Sequence, residues 1–209
     1  MSPRVLGAAA AAAIGLAASG CGGGGTSSAD RAPAHAPASQ GVAAGSPLAD
    51  THGVVGAGCD RIARTSPGSI GGMATTPVAT AAAHNLMLTD FANAIKATGL
   101  AGRLNSAKAI TVFAPEDSAF AALGHGNLTT LLASRSDLTK VVQYHVVSGR
   151  QTPADLASGK HLTTLLGTVI VPAKSRSEYR VNNAAVVCGN IQTANATIYI
   201  VNKVLVPIP

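Results

Sequence analysis

Side chains that could carry out catalysis are few in this sequence, and they are not grouped. The nine Asp and Glu residues are scattered without an evident pair, so no constellation for general acid–base chemistry is visible. Neither H-E-x-x-H nor G-x-S-x-G is present, and Gly159-Lys160 is followed by His161 and lacks the earlier glycine of a phosphate-binding loop. We therefore expect no catalytic residues, no metal site and no cofactor, and we expect that the protein is not an enzyme.

His145 allows two interpretations. It follows Tyr144 at the end of an apolar segment with helical spacing, where an imidazole could act as a ligand, a general base or a binding hot spot. No second ligand or nucleophile lies at a recognisable offset, which favours a structural role. We expect a buried imidazole that hydrogen-bonds to the turn after Pro115, through Asp117 or a backbone carbonyl. Asp117 itself is expected to cap a short helix and not to act as an acid catalyst.

The first twenty residues have the pattern of an export signal, and we predict a signal peptide over residues 1–20. Arg4 precedes an apolar run of 14 residues, from Val5 to Ala18, and Cys21 follows directly after small residues. At about 1.5 Å per residue this run spans roughly 21 Å, which is short of the roughly 30 Å core of a bilayer. The sequence before Cys21 resembles the lipobox of bacterial lipoproteins, although Ala18 stands where Leu is usual. The resemblance implies a lipid-modified Cys21, with acyl chains such as palmitate; the alternative is plain secretion with a free Cys21.

The chain has three cysteines, and an odd number in an exported protein needs an explanation. It is resolved if Cys21 is acylated and Cys59 pairs with Cys188 in a disulfide bond. That bond would close a loop of 129 residues and stabilise the domain by roughly 5 kcal/mol in the chain-entropy model. The alternative is two buried free thiols, and the spacing excludes a CxxC redox site.

Composition divides the rest of the chain into a tether and a domain. Residues 21–52 are rich in Gly, Ala, Pro and Ser, with few large apolar side chains that could offset the entropy of ordering. We interpret them as a flexible tether. Residues 53–209 are of suitable size for one hydrophobic core. Although 47% of the chain is hydrophobic, no stretch approaches twenty uninterrupted apolar residues, which argues against a polytopic membrane protein.

Hydrophobic spacing in this domain predicts helices first and strands later. Leu88, Phe91 and Ile95 recur at helical spacing, so a helix is expected over residues 87–98 with Thr89 as its N-cap. A short strand over 109–113 should end at Pro115, and another helix should open at Ser136. Further segments are expected as one helical turn from Thr152-Pro153 and as strands within 168–171, 185–187 and 197–206. This order indicates an α+β domain, with helices packed on a mostly antiparallel sheet or sandwich.

Two segments resemble the hallmark motifs of the fasciclin domain. They are residues 111–120 (TVFAPEDSAF) and 144–149 (YHVVSG), and the closing NKVL at 202–205 also fits. The arrangement of lipobox, tether and two further cysteines resembles the secreted and lipid-anchored fasciclin proteins of actinobacteria. Glu116 departs from the threonine that is most common after the motif proline. The resemblance implies a structural role for the motif residues Thr111, Phe113, Pro115, Asp117, Phe120, Tyr144 and His145.

Positive charge is concentrated between residues 140 and 180. The cations there are Lys140, Arg150, Lys160, Lys174, Arg176 and Arg180, and they outnumber Asp155 and Glu178, which gives a local excess of 6 − 2 = +4. One interpretation is a solvated rim of sheet loops, and the other is a patch for anionic polymers or lipid headgroups. The chain has no Trp, three Phe and three Tyr, so it lacks stacking platforms and a nucleic-acid partner is not expected.

The resemblance implies a noncatalytic cell-surface lipoprotein that mediates adhesion or interaction with cell-envelope, cell-wall or host components. It would be anchored by lipid on the extracytoplasmic face of the cell membrane. The alternative function is an envelope carrier that holds an apolar ligand or lipid between the helical layer and the sheet. The sequence leaves open the partner, the oligomeric state and a shed, soluble form.

Overall fold

The computed structural model describes residues 53–207. The expected signal peptide (1–20), Cys21, the expected tether (21–52) and the last two residues lie outside this range. After a 3-10 turn at Ala57–Arg61, the helices are Ile70–Ala74 (α1), Val78–His84 (α2), Thr89–Thr98 (α3), Ala101–Ser106 (α4), Asp117–Ala121 (α5), His125–Ala133 (α6), Arg135–Tyr144 (α7) and Pro153–Ala157 (α8). The strands are Ile110–Pro115 (β1), Val146–Ser148 (β2), Leu162–Thr163 (β3), Val169–Ile170 (β4), Pro172–Ser175 (β5), Glu178–Val181 (β6), Ala184–Gln192 (β7) and Ala196–Val201 (β8).

The helix ends follow local chemistry, with small differences from expectation. Gly99 ends α3 in the left-handed conformation, at φ 76°, as the sequence predicted. Thr89 is the first residue of α3 and not its N-cap, which is Leu88. The helix expected from Ser136 begins at Arg135, because the Ser134 hydroxyl accepts a hydrogen bond from the Asp137 amide. Thr152 and Asp155 form a reciprocal capping box at the start of α8.

One curled six-stranded sheet, in the order β2-β1-β8-β7-β6-β5, organises the domain. Strands β1 and β8 are parallel, and every other pair in this sheet is antiparallel. Strands β3 and β4 form a separate antiparallel hairpin. It is joined to the edge strand β2 by the Val147–Thr164 bridge and by a hydrogen bond of 2.7 Å from the Leu165 amide to the Val146 carbonyl.

Both faces of the central strand β8 are buried, and each face contributes to a separate apolar cluster. Ile198 and Ile200 pack in a cluster with the helices α1–α5 and α7. Tyr199 and Val201 pack in a second cluster with residues of α8, β3, β4 and β6, among others. The α+β class is therefore as the sequence predicted: helices cover one face of a mostly antiparallel sheet, and the β3–β4 hairpin and α8 cover the other.

Candidate functional site

The two motif segments lie side by side at the edge of the sheet. Strand β1 carries the first half of the first segment and pairs with β2 of the second, with Val112 opposite Val146. The Phe113 amide donates a hydrogen bond of 2.8 Å to the carbonyl of His145. Because β1 is also paired along its whole length with β8, the first motif segment begins within the sheet and not on an open loop.

The imidazole of His145 is completely buried and acts as an internal bridge. Its Nδ1–H donates to the Val141 carbonyl at 2.7 Å, and its Nε2 accepts from the Leu205 amide at 2.9 Å. The expected partners, Asp117 and the turn after Pro115, are wrong, since the ring links α7 to the C-terminal segment instead. Burial lowers the pKa of His145 to about 4, because a charged imidazolium would lose its hydration. The ring is therefore neutral at pH 7, and both its nitrogens are occupied.

Asp117 is a cap, although not of its own helix. Its Oδ1 accepts a hydrogen bond of 2.9 Å from the amide of Asp90, which lies in the first turn of α3, whereas the N-cap of α5 is Glu116. The Asp117 amide donates to the Met87 carbonyl at 2.9 Å. Partial burial and the nearby Asp117 carboxylate raise the pKa of Asp90. Asp117 therefore fixes the start of α3 against the turn that follows β1.

The remaining motif residues also make internal contacts. The Thr111 hydroxyl donates to the Gly149 carbonyl at 2.7 Å and accepts from the Gln151 amide at 2.8 Å. The Tyr144 hydroxyl accepts from Asn182 Nδ2 at 3.0 Å and donates to the Val169 carbonyl at 3.4 Å. Phe113, Pro115 and Phe120 are buried. Because these side chains are occupied inside the fold, a surface partner must be recognised by other residues.

Cys59 and Cys188 form the predicted disulfide bond, with Cα atoms 4.8 Å apart. It fastens residues 53–62, which we call the N-terminal strap, to strand β7. The Val55 and Gly189 backbones exchange hydrogen bonds of 3.0 and 2.7 Å. A Cβ at Gly56 would collide with the Val187 carbonyl, so this approach requires glycine.

At its other end the strap explains the unusual Glu116. The Glu116 carboxylate forms a 2.8 Å ion pair with Arg61, in which the glutamate side chain is only 10% exposed. The sequence did not predict this pair, because the two residues are far apart in the chain and neither lies in a recognisable pairing motif. Its position suggests that Glu116, in place of the usual threonine, fixes the strap to the motif turn.

The six cations expected to form one patch differ in their contacts. Arg150 donates four hydrogen bonds, to Gln192 Oε1 and to the carbonyls of Thr193, Ala194 and Ala196, at 2.6 to 3.1 Å. This guanidinium holds the turn between β7 and β8, and its place in a binding patch stays a prediction. Lys140 pairs with Asp137 on the exposed surface of α7 at 3.0 Å.

The cations on the β5–β6 hairpin are the most accessible part of the set. Arg176 is exposed in the turn between the two strands, in the left-handed region at φ 54°. Lys174 lies opposite Tyr179 on the paired strand, with its ammonium 4.9 Å from the ring centroid. Arg180 forms an exposed pair of 3.4 Å with Glu178. Lys160 is exposed between α8 and β3. We call Lys160, Lys174, Arg176 and Arg180 the hairpin cations.

Two cavities bear on the possibility of a small ligand. The first is lined by residues of α4, α7 and β2 together with Leu165, and its volume of about 10 Å³ suits a single water molecule. The second, of about 390 Å³, is an open surface groove between α2, α3 and α4 whose walls include Thr80, Asn93, Lys96 and Asn105. Neither is an enclosed apolar chamber of the kind that a lipid carrier needs.

Residues 53–207 contain neither a candidate metal site nor a membrane-spanning helix. No group of three or more His, Cys, Asp or Glu side chains in this range is placed to hold a metal ion. Nor does any helix in the same range have the length and apolar character to cross a membrane.

Comparison with known proteins gives consistent matches. Residues 86–207 match the fasciclin domain family. The chain is 38% identical over 169 residues to the cell surface glycolipoprotein MPT83 of Mycobacterium tuberculosis, which covers 77% of this chain and 74% of the relative. It is also 38% identical over 170 residues to the immunogenic protein MPB70 of Mycobacterium bovis, covering 78% and 86% of the two chains.

Among solved structures, a FAS1 domain pair from the insect cell adhesion molecule fasciclin I has a similar fold. The TM-score is 0.56 at 17% sequence identity, covering 65% of this chain and 52% of that one, so this chain spans about half of the domain pair. The family match extends over more than half of the sequence and includes both motif segments that β1 and β2 bring together. The chain therefore belongs to the fasciclin domain family.

Proposed function

We propose that this chain is a noncatalytic surface lipoprotein that uses its fasciclin domain for adhesion to cell-envelope or host components. The observation that carries the proposal is the similarity over 77% of the chain to a protein named a cell surface glycolipoprotein. The lipobox-like sequence before Cys21 supports it, because lipidation there would tether the domain to the extracytoplasmic face of the membrane. A soluble form, released by cleavage in the tether, would act on the same partners.

The proposed binding surface is built on the hairpin cations. The motif residues make internal contacts, so recognition must use side chains outside the motifs. Arg176 lies at the turn of the β5–β6 hairpin, and Lys174 and Arg180 lie on its strands. Glu178, which pairs with Arg180, balances one of these three positive charges. Attraction of this kind favours anionic polymers of a cell wall or a host surface.

The test measures binding of the purified full chain to cell-envelope fractions across a range of salt concentrations. Wild-type binding should weaken as salt rises, because the Debye length shrinks from roughly 30 Å at 0.01 M to about 8 Å at 0.15 M. The variant Lys174→Glu/Arg176→Glu/Arg180→Glu should bind less tightly and melt within a few degrees of wild type, since exposed charges contribute little to stability.

A matched control reverses the charge of three exposed lysines elsewhere on the domain, Lys96, Lys108 and Lys203. This control changes the net charge by the same amount and should retain more binding than the hairpin variant. Equal binding by wild type and the hairpin variant at every salt concentration would exclude Lys174, Arg176 and Arg180 from the binding surface.

A further inference from the structure

The N-terminal strap is where tension on an anchored chain would enter the domain. The expected tether joins Cys21 to Gly53 at the start of the strap. Six positions later, Cys59 is bonded covalently to Cys188 in β7, across a sequence separation of 129. A pull on the tether therefore reaches β7 through the disulfide bond, and the residues between the two cysteines lie outside the direct covalent path.

On the other side of the bond, β7 leads directly to the hairpin cations. Strand β6 runs into β7 through a short turn, with Val181 opposite Ala184. Arg180 lies on β6, and Arg176 lies in the turn before it. The covalent path from Gly53 to Arg176 has 59 − 53 = 6 steps before the bond and 188 − 176 = 12 steps after it. Without the bond the same path has 176 − 53 = 123 steps.

Few noncovalent contacts hold the first part of the strap. The backbones of Val55 and Gly189 exchange hydrogen bonds of 3.0 and 2.7 Å. The Gly53 carbonyl accepts another, of 2.7 Å, from the Asn190 side chain. Val54 and Val55 are only partly buried. Water replaces hydrogen bonds near the surface as they open, so this part of the strap resists a pull only weakly by itself.

The second part of the strap is also shallow. Ile62 is the only buried residue of the strap, and residues 63–67, which follow it, are all exposed. In the Arg61–Glu116 ion pair the arginine side chain is 54% exposed. Without the disulfide bond, tension would therefore detach the strap and then act on α1, whose Met73 belongs to the apolar core.

Strand β7 is held far more firmly than the strap. It lies between β8 and β6 in the sheet, so it has a partner strand on each side. Cys188 and Ile191 are buried in the cluster formed with the helices, whereas Ala184 and Val186 are buried in the second cluster. Tension that arrives at Cys188 therefore acts on a strand that is fixed by two neighbouring strands and by both apolar clusters.

We propose that the Cys59–Cys188 bond is a mechanical link, which passes tension from the membrane anchor to β7 and keeps the binding surface folded while the chain is pulled. The inference rests on the proposed function in one respect: tension arises when Cys21 is anchored and the domain holds a second surface. Survival of a fold under force is governed by its rate of unfolding and not by its equilibrium stability. The mechanical role is therefore distinct from the entropic stabilisation that the same bond gives at rest.

The first experiment pulls the full chain, with Cys21→Ser, between handles at its two ends in an optical trap. The oxidised parent should show no step in extension before the sheet yields. Cys59→Ala/Cys188→Ala should show an early step at about half that force or less, because the strap detaches. A reductant added to the folded parent should produce the same early step, and this measurement is decisive even if the double variant does not fold.

A control variant separates the mechanical role from stability. His145→Gln keeps the disulfide bond and should be less stable, because it alters the buried bridge to the Leu205 amide. It should show no early step, although its sheet should yield at a lower force. An early step in His145→Gln like that of the double variant would overturn the inference, because the bond would then act through stability alone. Equal yield forces for the oxidised and the reduced parent would overturn it as well.

Binding under tension is measured with a bead coated with dextran sulfate, an anionic polymer. Without tension, the parent and the double variant should hold the bead for similar times, because three of the hairpin cations lie on the β5–β6 hairpin. When the N-terminal handle is pulled, the double variant should release the bead about tenfold sooner, because unfolding that starts at the strap runs through to β5. Equal release times under tension would contradict the inference.

The two proposals fail in different ways. If the parent does not hold the bead without tension, the hairpin cations lose their role in the proposed function. The pulling experiment needs neither the bead nor the lipid anchor, so its early step still shows whether the disulfide bond carries the tension.

Discussion

At the scale of single residues, His145 shows how a side chain suited to catalysis can serve the fold alone. Its hydrogen bonds define the neutral tautomer, with the proton on Nδ1 facing Val141 and Nε2 facing the Leu205 amide. The Phe91 ring packs beside it at a tilt of 52°, with ring centroids 5.9 Å apart. No described charged side chain is paired with the imidazole, so desolvation dominates its titration.

This burial predicts an acid-sensitive stability. The unfolded chain takes up a proton at His145 near pH 6.5, whereas the folded chain does so only near pH 4. Because the unfolded state binds more protons between these values, the stabilising contribution is complete above pH 6.5 and is lost as the pH falls towards 4. The loss should reach about 3 kcal/mol. Urea unfolding at pH 7 and pH 4.5 measures it.

The control variants separate His145 from the other acid-titrating groups. His145→Gln should be less stable than wild type at pH 7 and should show a smaller decline on acidification. His125→Gln, at an exposed histidine on α6, should keep the wild-type decline. A wild-type decline that His145→Gln retains in full would contradict the assignment.

At the scale of elements, the N-terminal strap depends on long-range ties to β7 and to the motif turn. The disulfide closes a separation of 129 residues, which corresponds to about 5 kcal/mol in the chain-entropy model. Cys59→Ala/Cys188→Ala should fold, because both apolar clusters remain, and should melt roughly 10–20 °C lower. Circular dichroism with and without reductant checks this. A reductant should lower the melting temperature of wild type and leave that of the variant unchanged; equal melting of both oxidised proteins would contradict the role of the bond.

At the scale of the whole molecule, the proposed function depends on attachment of the domain to the membrane through Cys21. If Cys21 is acylated, Cys21→Ser should move the protein from the membrane fraction to the soluble fraction, because the run from Val5 to Ala18 is too short to span a bilayer. Detergent-phase partitioning of the exported proteins measures this. Cys59→Ala/Cys188→Ala is the matched control for loss of cysteine and should stay in the detergent phase. Equal partitioning of Cys21→Ser and wild type would refute the anchor.

The sequence by itself determined the features that depend on neighbouring residues and on composition. The α+β class, the end of α3 at Gly99, strand β1 up to Pro115 and the capped turn at Thr152 all follow from short-range patterns. The motif segments indicated the family. The Cys59–Cys188 pair follows from the cysteine count, because only three cysteines are present and Cys21, at the start of the tether, is expected to be acylated.

Only the tertiary structure decided which distant groups share a partner. Asp117 caps α3, His145 accepts a hydrogen bond from the Leu205 amide, and Arg150 donates hydrogen bonds to the turn before β8. The sequence alone favoured another role for each of these residues. The physical reason is that hydrogen bonding and burial depend on groups that are far apart in the chain, and these distances are set only when the sheet closes over its two apolar clusters.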